Sequence, residues 1–413
     1  MRVRFFLPVL AIALFLSACS NQAGPATVST MIVAGAPVST DPSTPIPLST
    51  DTPVPTATDT PMPPPLPVLA SPVLIRINFQ DENNGWAMAA NDKGLILRTV
   101  DGGRTWLNAT PPGTDTIGYA ASLAVLNTNT VWVLAPGTDF FSGILFRTGD
   151  GGVTWDSNPV PFGGGFLQFL DASTGRALAA REARAGSEAV ELFQSSDGGA
   201  TWVSIFHNDS SQPGSSDSLP LAGIKNGMAF IDANTGWVTG SIPADGQVYL
   251  YATRDGGASW AQQSLPLPAA YAAYRYLPQA PVFYGKDGFL PLTIYKPDLT
   301  DFTVYTTHDG GLSWSGDPAD PHKTIKPGLP AFADSLHGWS WDGGASLNLT
   351  SDGAQTWKAI PATQDLSGRI AQMEFLPAPS GHFTGWALTR ADEAGHSQLY
   401  RTSDGSTWTP IIP

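Results

Sequence analysis

Seven copies of one short hairpin sequence constrain this chain more than any other feature. The stretch "RTVDGGRTW" at 98–106 returns as "TGDGGVTW" (148–155), "SSDGGATW" (195–202), "TRDGGASW" (253–260), "THDGGLSW" (307–314), "TSDGAQTW" (350–357) and "TSDGSTW" (402–408). The aspartates are Asp101, Asp150, Asp197, Asp255, Asp309, Asp352 and Asp404, separated by 49, 47, 58, 54, 43 and 52 residues. A period near fifty marks a propeller or an array, in which each repeat is one supersecondary unit that buries its faces only against its neighbours.

A second signal keeps the same beat. Ahead of most copies comes an apolar stretch, a turn, then Gly-Trp and another apolar stretch. Examples are "IRINFQDENNGWAMAA" (Phe79, Asp81, Gly85, Trp86) and "MAFIDANTGWVTG" (Phe230, Asp232, Gly236, Trp237). Gly338-Trp339 and Gly385-Trp386 repeat it; Val131-Trp132, Gly175-Arg176 and Gly288-Phe289 are weaker versions. Each unit therefore reads strand, tight turn, strand, loop, strand, box, strand, with 37 Pro and 43 Gly breaking most helical windows. The expected fold is all-β: a seven-bladed β-propeller of four-stranded antiparallel blades over residues 73–413, closed radially so that only short edges remain. The domain starts on an inner-strand pattern (74–79) and ends on an outer-strand pattern (407–412), so each blade is expected to be contiguous.

The repeated pattern Ser/Thr-x-Asp-x-Gly-x-Thr/Ser-Trp resembles the Asp-box of the sialidase-like propeller superfamily. The physical reading of each position is structural. The carboxylate accepts hydrogen bonds from loop N–H groups and from hydroxyls such as Thr99 and Thr105. Gly102 and Gly103 supply left-handed backbone. The tryptophans, Trp106, Trp155, Trp202, Trp260, Trp314, Trp357 and Trp408, start the outer strands and pack against neighbouring sheets. Seven staples are expected of such a repeat, whereas seven identical catalytic centres are not. Ala354 replaces the second glycine of the sixth box and the seventh is one residue short, so those hairpins are expected to be slightly strained or differently turned.

The first residues, "MRVRFFLPVLAIALFLSACS", have the charged start, apolar run and small residues of a secretory signal. Leu-Ser-Ala-Cys resembles the bacterial lipobox, with Cys19, the only cysteine, as the lipidated residue. Residues 1–19 are thus read as a lipoprotein signal and 20–72 as a disordered tether with 13 Pro, 9 Thr and 6 Ser but no Lys or Arg. The expectation is export and anchoring through acylated Cys19 to the outer face of a bacterial membrane, at the cell surface or in the periplasm. A net charge of −14 without a basic run argues against nucleic acid. A monomer is expected.

Binding residues are sought on the loops opposite the boxes, because function concentrates on loops displayed by a rigid scaffold. Three connections are long: 207–226, polar and expected to be mobile; 262–281, with Tyr271, Tyr274, Arg275 and Tyr276; and 315–330, with His322, Lys323 and Lys326. Loops within blades add Phe140, Phe141, Arg181, Arg184, Arg390 and His396. Tyrosines beside a cation suit a sugar ring or a peptide; the alternative is that they pack the insertion onto the ring. Six scattered His without metal-ligand spacing point to no metal and no cofactor.

Phe-x-Asp…Gly-Trp-Ala followed by Arg-Thr-x-Asp-Gly-Gly-x-Thr-Trp resembles the photosystem II assembly and stability factors, with Arg98-Thr99, Arg147-Thr148 and Arg401-Thr402 as the nearest match. That resemblance implies a seven-bladed, non-catalytic scaffold that holds membrane-protein segments. The long tether departs from the short linker expected of such a factor. The enzymatic alternative is a sialidase-like or xyloglucanase-like glycosidase, or a carbohydrate-binding surface protein. Against the first stands the absence of a Phe-Arg-Ile-Pro stretch, Arg76 being the nearest inner-strand arginine; against the second, a single propeller where xyloglucanases pair two. The reading carried forward is an anchored propeller without a catalytic residue, binding an extracytoplasmic protein or glycan through the face opposite the boxes.

Overall fold

A computed structural model describes residues 64–413, apart from 91–93, 115–116, 118–120, 140, 268, 297–299, 317–329, 342–345, 362, 365–369, 379–381, 394 and 412–413. The segments read as a signal, with Cys19, and as a tether up to residue 63, together with Phe140, His322, Lys323 and Lys326, lie outside the described residues. The rest forms seven antiparallel sheets, one per repeat. Blade one runs Leu74–Phe79, Gly85–Ala89, Leu95–Thr99 and Trp106–Asn108; blade seven runs Ile370–Pro377, Phe383–Thr389, Leu399–Thr402 and Thr409–Ile411. Every blade is contiguous, so no strand is exchanged between the first and last.

Two blades depart from the plain four-strand pattern. Blade one gains a fifth strand, Val68–Leu69, paired with its outer strand (Leu69 opposite Trp106). The sheet therefore begins inside the segment that composition assigns to the tether. In blade five the inner edge is shared by two short strands, Arg275–Pro278 and Val282–Tyr284, both paired with Asp287–Tyr295. Among the described residues, its third strand, Thr300–Thr307, meets an outer partner only at the Thr306–Ser315 bridge.

The Phe, Gly-Trp and box-Trp positions assemble into one repeated packing unit between blades. The inner-strand Phe stacks on the Gly-Trp ring of the preceding blade: Phe79 on Trp386 (3.8 Å), Phe169 on Trp132 (3.6 Å) and Phe375 on Trp339 (4.0 Å). The box Trp of its own blade meets the same Phe edge-on, as Trp106 does Phe79 and Trp408 does Phe375. Offset stacks and edge contacts suit the ring quadrupole, and each pair adds about 0.5–1.5 kcal/mol beyond area burial. The glycine of Gly-Trp is required because the Phe ring lies against it: a Cβ on Gly85 would sit 2.6 Å from Phe79.

The weak repeat Gly175-Arg176 follows the same geometry with different chemistry. Arg176 is 2% exposed and lays its guanidinium 5.3 Å from the Phe230 ring centroid. It also donates to the Ala233 carbonyl at 2.7 Å. A planar cation thus replaces an indole on an aromatic face.

The boxes repeat at the level of single hydrogen bonds. Asp101 accepts from the Thr99 hydroxyl (2.9 Å), the Thr105 N–H (2.9 Å) and the Thr105 hydroxyl (2.6 Å). Asp197 makes the same set with Ser195 and Thr201. The Thr99 oxygen accepts from Gly103 N–H, and Gly102 and Gly103 have φ of +76° and +95°. In the sixth box Ala354 is held at φ +67°, a conformation that costs an L residue free energy. In the seventh, the shortened loop turns one residue earlier, with Gly405 N–H on the Thr402 hydroxyl. Each box is tied to the first turn of its blade, as by Gly102 N–H on Asn83 O (2.8 Å), so boxes and first turns share one end of the ring.

Candidate functional site

The opposite end is irregular. Blade three extends a hairpin of Gly175–Arg184 and Ser187–Ser195, and blade five a hairpin of Asp287–Tyr295 and Thr300–Thr307. Between them, at the ends of blades four and five, lies a cavity of about 490 Å³. Blade four supplies Ile224, Ser241, Ile242 and Pro243; blade five supplies Arg275, Tyr276, Leu277 and Tyr295; Gly186 at the blade-three hairpin tip closes one side.

These walls follow from strand register. Ile224 pairs with Ser241 and Arg275 with Tyr295, each the last pair of its ladder, so two sheet ends face each other across the slot. Gly186 sits at φ +77°, and a Cβ there would meet Pro243 at 2.8 Å. Tyr295 is 45% exposed. The polar groups are few. The Tyr276 hydroxyl is already given to the Tyr271 carbonyl, and Arg275 pairs with Asp245 at 3.5 Å. Burial raises the Tyr276 hydroxyl pKa to about 12, with Tyr271 and Tyr274 adding to the shift, so the ring presents a neutral face.

Buried Lys225 fixes the blade-four wall. Its ammonium donates to the carbonyls of Glu188 (2.7 Å), Pro220 (2.8 Å), Gly223 (3.0 Å) and Leu221 (3.2 Å). The Glu188 carboxylate instead accepts the Lys225 backbone N–H at 2.7 Å. Burial lowers the Lys225 pKa to about 8 despite the Glu188 charge. The connection 207–226, expected to be mobile, is pinned here. Asn208 bonds Val190 N–H and the Leu219 carbonyl, and Leu219 is fully buried.

The structure separates the candidates picked from sequence. Arg275 and Tyr276 line the cavity. Tyr271 and Tyr274 stand behind it: buried Tyr271 and half-buried Tyr274 flank the Lys296 ammonium, 4.6 and 5.8 Å from their ring centroids. Packing of the insertion thus takes up Tyr271 and, in part, Tyr274, while the largely buried Tyr276 also borders the cavity. Arg181 is engaged between blades, bonded to Glu191 (2.7 Å) and to the carbonyls of Phe141 and Pro161. Arg184 pairs with Glu182, and Phe141, 52% exposed, stands with the Arg181 group. Arg390 and His396 are exposed on blade seven, His396 being 3.7 Å from Asp392. None of these last five lines the cavity. Ile242, Pro243, Leu277 and Tyr295 also line it and carry no aromatic–cation pattern in the sequence; the one signal there is a Tyr ending an apolar strand.

A second, smaller space of about 210 Å³ lies between the edge of blade five and the sixth box, lined by Thr303, Val304, Thr306, Ser315, Gly316, Ala354, Gln355 and Trp357. Neither cavity is lined by a carboxylate, histidine or cysteine. Among the described residues, no three His, Cys, Asp or Glu side chains gather closely enough to hold a metal ion.

Fold and site together define a seven-bladed propeller with one regular end and one end bearing an apolar slot. No protein-family model matches the chain, and no curated protein does. Solved structures share its fold. YCF48 from Cyanidioschyzon merolae is 16% identical, with 85% of this chain and 98% of that one covered and a TM-score of 0.46. YCF48 bound to a D1 peptide is 15% identical over 84% and 95%, with a TM-score of 0.45. A polysaccharide lyase, a PL25 ulvan lyase, is 10% identical over 84% and 98%, with a TM-score of 0.50. At such identities the likeness extends to the fold, which hosts binding proteins and enzymes alike.

Proposed function

We infer that this chain is a non-catalytic binding or assembly scaffold, exported and anchored through acylated Cys19, that takes a protein segment into the slot between blades four and five. The carrying observation is the lining: aliphatic and aromatic walls with Ser241 and Arg275 as the main polar groups. A hydrolase needs two carboxylates converging at about 5–10 Å on the substrate, and this slot has none on its walls. A glycan would need several donors and acceptors for its hydroxyls, because a site that leaves buried polar groups unpaired loses affinity. Apolar side chains of an extended peptide need neither. The box carboxylates are assigned to the structure of the hairpins and carry no chemistry.

The test places a photo-crosslinking residue at Tyr295 in the full chain, in its native membrane, with Val203 on an outer strand as control. A protein adduct specific to position 295 supports the reading. Adducts only to glycan, or equal labelling at both positions, would end it.

A further inference from the structure

The ring closes without a shared strand. Six of its interfaces are spanned by the chain itself, whereas blades seven and one meet only through non-covalent contacts. Besides the Phe79–Trp386 stack, the Gln372 side chain accepts Ile77 N–H at 3.0 Å and donates to Ile77 O at 2.8 Å. Glu374 accepts Phe79 N–H at 3.0 Å. The same amide device, Gln168 on Phe230 (2.9 and 2.8 Å), joins blades three and four, where a covalent connection also holds them.

Residues 66–73 wrap blade one beside that seam. Val68–Leu69 adds to its outer strand, and Pro67 O accepts Asn108 N–H at 2.7 Å. Leu69 packs on a cluster drawn from both seam blades, including Trp106, Trp386, Leu399 and Ile411. Leu66 packs on the cluster between blades one and two, including Trp86, Ala109 and Val131. Pro72 is buried, and Val73 O accepts Ala90 N–H at 2.8 Å as the chain enters the inner strand. An apolar side chain of this strap therefore stands in the interface on either side of blade one.

We propose that residues 66–69 are a clasp that holds the ring closed at the blade seven–one seam, the role a shared strand plays where propeller blades are not contiguous. The clasp is also where the Pro/Thr-rich segment joins the ring. Displacing Leu69 opens the seam first, because the chain itself spans every other interface, a local opening of the kind amide exchange resolves.

The experiment is amide hydrogen exchange on the full chain carrying Leu69→Asp, with Leu69→Ala as a milder variant should the first fail to fold. Val68→Thr, at a solvent-facing position of the same strand, is the control. Ile77 and Phe79 amides report the seam, and Phe230 reports the three–four interface. We expect seam amides to exchange about tenfold faster in Leu69→Asp, less in Leu69→Ala, with Phe230 and the control unchanged. Equal acceleration at Phe79 and Phe230 would mean general destabilisation and overturn the clasp. Unchanged seam exchange in both Leu69 variants would overturn it as well.

Discussion

The two ends of the ring follow different rules. At the box end, one device recurs seven times, with a shorter turn in the last copy: a carboxylate bonded to hydroxyls and N–H groups of its own loop. At the other end, strand lengths differ from blade to blade. Blade three has strands of ten and nine residues, while the corresponding strands of blade four have six and five. Repetition yields a rim whose described cavity, at the sixth box, is the smaller of the two; departure from it places two long hairpins beside a shorter blade and leaves the larger slot.

The repeat should be most sensitive where its chemistry is already unusual. Arg176→Ala removes a buried cation, its bond to Ala233 and its stacking on Phe230, and should cost about 3–5 kcal/mol by denaturant unfolding. Arg176→Trp restores the indole used at other interfaces and should keep most of that stability. If the tryptophan variant is as damaged as the alanine one, the equivalence of Arg176 with the Gly-Trp position fails.

Next in size, Asp255→Ala removes bonds at 2.7, 2.9 and 2.6 Å and should cost roughly 1–3 kcal/mol while leaving crosslinking at Tyr295 intact. Lost labelling with unchanged melting would reverse the roles given to the two ends. Smaller and opposite in sign, Ala354→Gly relieves a left-handed alanine and should stabilise by about 1 kcal/mol. No gain would mean that the sixth hairpin holds that backbone without strain.

Two titrations separate the boxes from the seam by pH. Hydrogen bonds from the Thr201 hydroxyl and N–H hold the Asp197 carboxyl at about 2, below its unfolded value. Its contribution is present above the unfolded pKa, near 4, and is lost as pH falls toward 2. Asp309 and Asp404 are depressed in the same direction, so acid unfolding should steepen in that window. Glu374 at the seam has the opposite sign: burial raises its carboxyl to about 7, against the hydrogen bond from Phe79 N–H. Its stabilising contribution is greatest at acid pH and declines as pH rises from its unfolded value, about 4.5, through 7. Glu374→Gln should flatten that slope and raise the neutral-pH Tm by roughly 2–4 °C; an unchanged profile would rule out the carboxyl as its source. Smallest of all, Ile242→Asp at the slot should change stability by under about 0.5 kcal/mol while abolishing the Tyr295 adduct.

What the sequence determined by itself was the period and everything local to it. Seven aspartates near fifty-residue spacing set the blade number, and the hydroxyl–carboxylate–glycine pattern set each hairpin, because every partner of Asp101 lies within four residues of it. Phe79, Gly85 and Trp86 were legible as a pattern, but their purpose lies between blades, where Phe79 meets a tryptophan some three hundred positions away. The repeat put Arg176 at the indole position, but its stacking on Phe230 is visible only in the folded ring. Tertiary structure alone decided that Leu69, in a stretch whose composition reads as tether, enters the seam. The slot belongs to this second class. Its walls come from blades three, four and five, and burial turned Tyr271 toward the core while leaving Tyr295 at the rim. The physical reason is range: hydrogen bonds across a turn depend on neighbours in the chain, whereas stacking, burial and cavity shape depend on which strand ends the closed ring brings together.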